Sequence, residues 1–501
     1  MEDARKNGIE PREALLKFHK QWYSSNIMSL CIVGSESLDE MESYLGTLGF
    51  DAIENKNVKP KEWLESPYGE EQLGKRIELA VTAPIIAADP RSTMLSSMYL
   101  WCLNDALTEE TYNAELAGLK CELELGTFGT NLKVTGYDEK QPLFVEHLVK
   151  RMTDFKPDPL RFEVLFDAIK RALENFAHSQ PYTLSQHYVQ LLLSDKYWSK
   201  EQLLAVCKDM NVHEVEAFGK EMLRAFHVEL LVHGNATEQE ALKLGHAVTK
   251  TLRESSKSRP LFRNEYTPMR EHALENGDAY VYRHFQNTHE VSCVEVLYQA
   301  GVQATRENAL VELLVQLLRE PAFNQLRTVE QLGYVVWTGT RLNAGTLGLQ
   351  FIVQGPKSPD HVLDRIEAFL EKIREEIIAM PQEEFEKQKT GLITRLLEKP
   401  KTLGARSRRF WNEIDCRQYD FDRNNSEVEV LKTVTKEDLL SYFDLKFSQN
   451  ASERRKEEVE CMEQFRQQLS LYGRPRPKLN LPPIGAEPLS SLADSDTKSK
   501  Y

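Results

Sequence analysis

An α/β (α+β) chain built from tandem homologous domains is the fold class that the sequence predicts, and three observations carry the prediction. Helix-period and strand-period hydrophobic patterns alternate along almost the whole chain. A succession of elements in residues 76–252 recurs in residues 278–450, with Gly118 and Gly333 in corresponding places. Two polar stretches, 55–75 and 253–277, separate these units from each other and from a shorter first piece. The 501 residues suffice for two or three domains with real cores.

The first piece, residues 1–75, reads as helix, strand, helix. Residues 13–24 are amphipathic, with Leu15, Leu16, Phe18 and Trp22 as apolar bulk. The run 26–33 (Asn-Ile-Met-Ser-Leu-Cys-Ile-Val) predicts a strand, and 37–48 a helix. This is only the end of a repeat, matching residues 215–252. The second unit opens with a strand over 76–85 and a helix over 91–109. A further helix ends at Gly118, and a hairpin over 119–135 follows. Helices at 142–152 and 158–176, a strand at 228–232 and a helix at 238–252 complete it.

The third unit repeats this order. A strand over 291–298 leads to a helix over 307–318, a hairpin over 334–353 and helices over 360–373 and 383–397. Its closing strand is missing. Where residues 29–34 and 229–234 offer an apolar strand, Lys456 is followed by Glu-Glu-Val-Glu-Cys-Met, which predicts a polar helix. Residues 473–501, rich in Pro, Ser and Lys, predict a disordered tail.

Composition restricts function. The hydrophobic share of 41% and charged share of 28% are those of a water-soluble domain protein, and no apolar run reaches the length of a membrane span. A net charge of −14 disfavours nucleic acid as a partner. The seven cysteines are scattered without a C-x-x-C pair, and the N-terminus lacks an apolar signal core, so the expected compartment is cytoplasmic.

The stretch with the sharpest local chemistry is 321–339. Pro321 bends or restarts the preceding helix, a short helical piece carries Phe323, Leu326 and Arg327, and Gly333 stands just past its end. The pattern then turns to a strand from Tyr334. Such an elbow can aim a cation and a phenol at one peptide backbone. An arginine complementing a helix C-terminus and a tyrosine packing on a strand explain the same letters. Residues 112 and 119, which stand in the places of Arg327 and Tyr334 in the other repeat, are Tyr and Leu; both repeats keep only the glycine.

Several motifs together resemble one family. Lys17-Phe18-His19 with Tyr23 to Asn26, Ala114 to Leu119, Thr135-Gly136-Tyr137 with Lys140-Gln141-Pro142, and Leu326-Arg327-Thr328 with Gln331 to Tyr334 are similar to the insulin-degrading type of pitrilysin-like inverzincin zinc peptidases. Trp411-Asn412-Glu413, Gln418-Tyr419 and Phe421-Asp422-Arg423 extend the likeness, which covers about residues 8–455. The resemblance implies four homologous domains in complete members. Residues 8–75 would be the end of the first, 76–252 the third without its opening strands, and 278–450 the fourth, with the second missing near residues 73–76. It implies that Arg327 and Tyr334 bind substrate. It also implies an anion site near Lys399 and Lys401, where Thr402 and Gly404 depart from the expected pattern and a solvated basic face explains the residues equally well.

Zinc in this family needs H-x-x-E-H, two imidazoles one helical turn apart with a glutamate beside them. None of the twelve histidines begins that motif, and no G-x-S-x-G replaces it. The expectation is therefore no catalytic and no metal-binding residue, with zinc held only by a complete family member. The partners expected are peptides, together with a chain bearing the zinc-binding half or a second copy. An active metalloendopeptidase, by membership alone, and a truncated non-functional product are the alternatives.

Overall fold

The computed structural model describes residues 10–34, 36–58, 74–137, 140–262, 264–266, 268–447 and 455–479. The chain divides into two compact units, residues 1–70 and 71–501.

In the first unit, α1 (Pro11–Trp22) and α2 (Leu38–Thr47) form where the periodicity places them, α2 behind a capping box of Ser37 and Glu40. The strand expected over 26–33 is absent. Ser25–Ile27 makes one 3-10 turn and the rest has no regular structure. The reason is physical: a strand needs a neighbour for its backbone donors and acceptors, and no strand occurs among the described residues of this unit. Neither helix buries a residue, and Leu15, Phe18, Val33 and Leu38 are exposed. Polar contacts hold the piece together. The hydroxyl of buried Ser24 accepts from the Lys56 amide at 2.8 Å, while Lys56 Nζ donates to the carbonyls of Lys20 and Tyr23.

The second unit contains two hydrophobic cores, one from residues between Ile77 and Leu252, the other between Tyr298 and Phe447. The first core lies on a sheet of order β2-β3-β1-β4-β5, made of β1 (Gly74–Thr82), β2 (Lys120–Leu125), β3 (Gly129–Tyr137), β4 (Ala225–Gly234) and β5 (Arg259–Pro260). β1 is central and paired on both sides, Leu79 standing opposite Leu132 of β3 and Leu230 of β4. That double pairing is why Arg-Ile-Glu-Leu-Ala-Val-Thr is buried almost throughout. The two helices expected between 91 and 116 are one, α3 (Pro90–Leu116). Asp89 caps it, and no internal Gly or Pro interrupts it. Then come α4 (Gln141–Asp154), α5 (Pro159–Asn175), α6 (Pro181–Leu193), α7 (Lys200–Ala205), α8 (Val212–Met222) and, after β4, α9 (Glu238–Ser256). Gly219 of α8 lets that helix touch α3, since a Cβ there would stand 2.0 Å from the Tyr99 ring.

The second half repeats the path. After the short β6 (Asp278–Val281) come β7 (Ser292–Val302), α10 (Thr305–Ala322), β8 (Val335–Asn343) and β9 (Thr346–Gly355), giving sheet order β7-β9-β8. Then follow α11 (Pro359–Ala379), α12 (Gln382–Leu397), α13 (Leu403–Asp415), α14 (Arg423–Thr433) and α15 (Lys436–Lys446). The halves exchange helices: α6 packs on β7 and β9, and α13 packs on β1 and β4. The joints are polar, with Arg417 and Glu229 at 3.0 Å and the His233 ring 2.6 Å from the Ser407 hydroxyl.

Two expectations for the C-terminal part are corrected. The closing strand is not wholly lost: β10 (Arg455–Glu458) pairs with β6, although not with β7, before α16 (Met462–Gln468). Four residues already suffice for a short ladder, but the charges that follow offer nothing for the buried position beside β7. Nor is 473–479 disordered. Lys478 donates its amide to the Gln418 carbonyl at 2.8 Å and its ammonium pairs with Asp420, because these two groups in the connection between α13 and α14 give the segment partners. Residues 480–501 of the expected tail lie outside the described residues. The stretch 253–277, polar in sequence, holds Glu271, fully buried and bonded by Arg341, Asn343 and Thr346.

Candidate functional site

The elbow after α10 is built differently from its sequence pattern. Pro321 does not end the helix. α10 continues to Ala322 and then widens into a π-helix over Phe323–Val329. Pro321 has no amide to donate, and the wider turn re-satisfies the ladder, as in the bond from the Glu330 amide to the Gln325 carbonyl at 2.9 Å. The left-handed residue past the helix is Gln331 (φ 51), not Gly333. Gly333 serves instead for close approach: a Cβ there would lie 2.0 Å from the Gln354 carbonyl oxygen. Gly118 plays a related part in the other half, where the return strand passes so near that a Cβ on Gly136 would meet the Gly118 carbonyl oxygen at 2.2 Å.

Leu326 and Leu332 anchor the elbow in the core. Glu330 pins it from outside. Arg365 grips that carboxylate with two bonds of 2.7 and 2.8 Å and Gln325 adds a third, which holds its pKa below the usual carboxylate range. Sequence reasoning missed this pin, which joins residues 35 positions apart.

The pinned elbow presents Arg327 between two rings. Its guanidinium carbon lies 4.8 Å from the Phe323 ring centre and 4.9 Å from that of Tyr334. Arg327 makes no ion pair among the described residues, and Tyr334 is 83% exposed. The stacking fixes the guanidinium while leaving N–H groups for a ligand. Val329 and Trp337 add exposed apolar surface. The structure thus brings together Arg327 and Tyr334, the pair the sequence singled out, and adds Phe323 as the ring on the other side.

Lys399 and Lys401 form no comparable arrangement. Lys401 is 85% exposed and pairs with Glu398 at 3.1 Å, Lys399 faces solvent, and Thr402 caps α13 by accepting from the Ala405 amide. The motif around Glu413 is structural. Arg423 donates to Glu413 and to Gln418, and all three are at least largely buried.

The donor chemistry does not fit a zinc site. Among the described residues no group of three or more His, Cys, Asp or Glu side chains is placed to hold a metal ion. His289 is bonded to the His178 carbonyl, and His187 is packed among the rings of Phe176, Tyr188 and Tyr197.

Comparison with known proteins identifies the family. Residues 75–206 match the family model described as the middle or third domain of peptidase M16, and 11–86 that of the peptidase M16 inactive domain. Residues 313–411 match the C-terminal lobe domain 4 of PqqF-like proteins. The chain is 35% identical to the Caenorhabditis elegans protein named "Putative zinc protease C28F5.4", across 91% of this chain and 77% of the relative. That alignment runs over 662 positions, more than the 501 residues here, so the relative carries segments without counterpart in this chain. Human insulin-degrading enzyme is 38% identical over 76% of this chain, which spans 37% of that enzyme. Among solved structures, pitrilysin superposes with a TM-score of 0.71 at 20% identity over 80% of this chain and 44% of its own. An M16 inactive domain from Pseudomonas fluorescens gives 0.58 at 9% identity, over 76% of this chain and 91% of its own. The chain belongs to the M16 family of pitrilysin-like zinc peptidases.

Proposed function

We propose that this chain is the non-catalytic, peptide-binding half of an insulin-degrading-enzyme-type metalloendopeptidase. Arg327 and Tyr334 contact the backbone of the bound peptide. The observation that carries this reading is the half-buried Arg327, a cation without an ion-pair partner among the described residues, stacked between the exposed rings of Phe323 and Tyr334. Arg327 donates charge-assisted hydrogen bonds to peptide carbonyls, and the Tyr334 phenol adds one more. With H-x-x-E-H absent from the sequence, hydrolysis requires a separate chain carrying the zinc-binding half, and a second copy of this chain is the other partner class. A cytoplasmic location fits seven cysteines that are all free thiols. No helix among the described residues is long and apolar enough to cross a membrane.

The test is peptide affinity. Arg327→Ala and Tyr334→Phe weaken binding roughly tenfold each, the size of one lost charge-assisted bond, and leave the melting temperature unchanged. Supplying the zinc-binding half in trans restores hydrolysis. Intact affinity with a lowered melting temperature assigns the pair to packing and overturns the reading.

A second reading has its own observation. α1 and α2 bury nothing, so the first unit lacks a core of its own among its described residues, as expected of a truncated product. Protease resistance of residues 10–58 in the purified chain would contradict it.

A further inference from the structure

The two halves of the second unit follow the same path but differ at one place. In the first half, β1 is paired on one side with β3 and on the other with β4, which runs antiparallel to it from Lys75 opposite Gly234 to Thr82 opposite His227. In the second half, among the described residues, β7 pairs with β9 alone and stands at the edge of its sheet. The short β10 adds to β6 instead.

A cavity of about 660 Å³ lies along this edge. Residues 292–299 of β7 form one wall and residues 274–286, including β6, the opposite one. α6 closes one face with Leu184, Tyr188 and Leu192, and α11 and α15 approach from the other with Leu363 and Leu445. A space walled in this way, between a strand edge and two apolar helix layers, has the shape of one missing strand. In the sister sheet that place is filled by Ala-Phe-His-Val-Glu-Leu-Leu-Val-His-Gly, whose Phe226, Val228, Leu230 and Val232 face the core while His227, Glu229 and His233 alternate with them on the other face.

We propose that this slot binds an extended peptide as an added strand, antiparallel to β7 and of roughly eight residues. The occupant makes main-chain hydrogen bonds to the open edge and lays apolar side chains against both helix layers. Its ends are basic: Glu275, Asp278, Asp360 and Glu367 line the slot against only Arg283 and Lys446, and Arg283 is already paired with Asp360 at 2.8 Å. The proposal does not rest on the elbow, because none of the slot residues belongs to it.

The experiment uses the full chain and a synthetic peptide of the chain's own Ala225–Gly234 sequence with two lysines appended. Binding is followed by fluorescence anisotropy and by hydrogen exchange of residues 292–299. The expected result is saturable binding with slowed exchange in β7. A peptide with proline at alternate positions, unable to donate to the edge, binds at least tenfold more weakly. Ala279→Trp, which fills the slot from β6, also weakens binding at least tenfold. Should Ala279→Trp fail to fold, the proline peptide and the wild-type exchange decide. Equal binding of the two peptides, or unchanged β7 exchange at saturation, overturns the proposal. Loss of binding in Arg327→Ala with β7 exchange unchanged places the peptide at the elbow instead and equally overturns it.

Discussion

β1 and β7 hold the same position in two copies of one path, yet β1 is an interior strand and β7 an edge. Ile77 and Leu79 of β1 are 0% exposed, whereas Val294 and Val296 of β7 are only half-buried. The difference does not come from the strands themselves, since Ile-Glu-Leu-Ala-Val and Val-Glu-Val-Leu-Tyr are both apolar enough for an interior place. It comes from the segment some 150 residues further along the chain: a ten-residue β4 with Phe226, Val228, Leu230 and Val232 toward the core in one half, and Arg-Lys-Glu-Glu in the other. A strand's burial is decided by its neighbour as much as by its own letters.

The largest expected consequence is in stability. Leu79→Ala, at a fully buried position with strands on both sides, costs about 4 kcal/mol, while Val296→Ala at the open edge costs about 1 kcal/mol. Denaturant titration of both variants checks the contrast, and equal losses would mean that β7 is as tightly enclosed as β1.

The glycines sharpen the comparison at a smaller scale. Gly333→Ala sets a Cβ against the backbone of Gln354 and Gly355, at 2.0 Å from the carbonyl oxygen, and costs about 2 kcal/mol. It also displaces the adjoining Tyr334, so peptide affinity falls with stability, unlike in Tyr334→Phe. A loss of stability with affinity retained would show that the elbow's position does not matter for binding.

A smaller effect separates the halves by pH. Burial, with Lys200 nearby, pushes His187 of α6 down to about 4 from its ordinary 6.5. The folded chain keeps this ring neutral while the unfolded chain protonates it. Its contribution is therefore whole above pH 6.5 and declines as pH falls from 6.5 to about 4. Burial raises the Glu295 carboxyl, which works in the opposite direction. The readout is thus the difference between wild type and His187→Gln, which is expected to lose less stability over that interval. Identical pH profiles would show that His187 is accessible to protons in the folded chain.

Much of this was legible in the sequence. The repeat, with Gly118 and Gly333 as its markers, and most helices follow from hydrophobic period, and Arg327 and Tyr334 stood out because the other repeat lacks them. The features that the letters did not carry depend on distant partners. Residues 26–33 have strand composition but no strand beside them, and Glu271 reads as part of a linker until Arg341, Asn343 and Thr346 converge on it. The π-turn at 323–329 arises from a proline that local rules make a helix end. Glu330 became a pin only through Arg365.

Native-state hydrogen exchange of the unliganded full chain tests the difference between the two sheets most directly. Amides of 76–81 in β1 are expected to exchange only with global unfolding, and those of 292–299 in β7 at least tenfold faster through local opening at the open edge. Equal protection of the two strands would contradict the account.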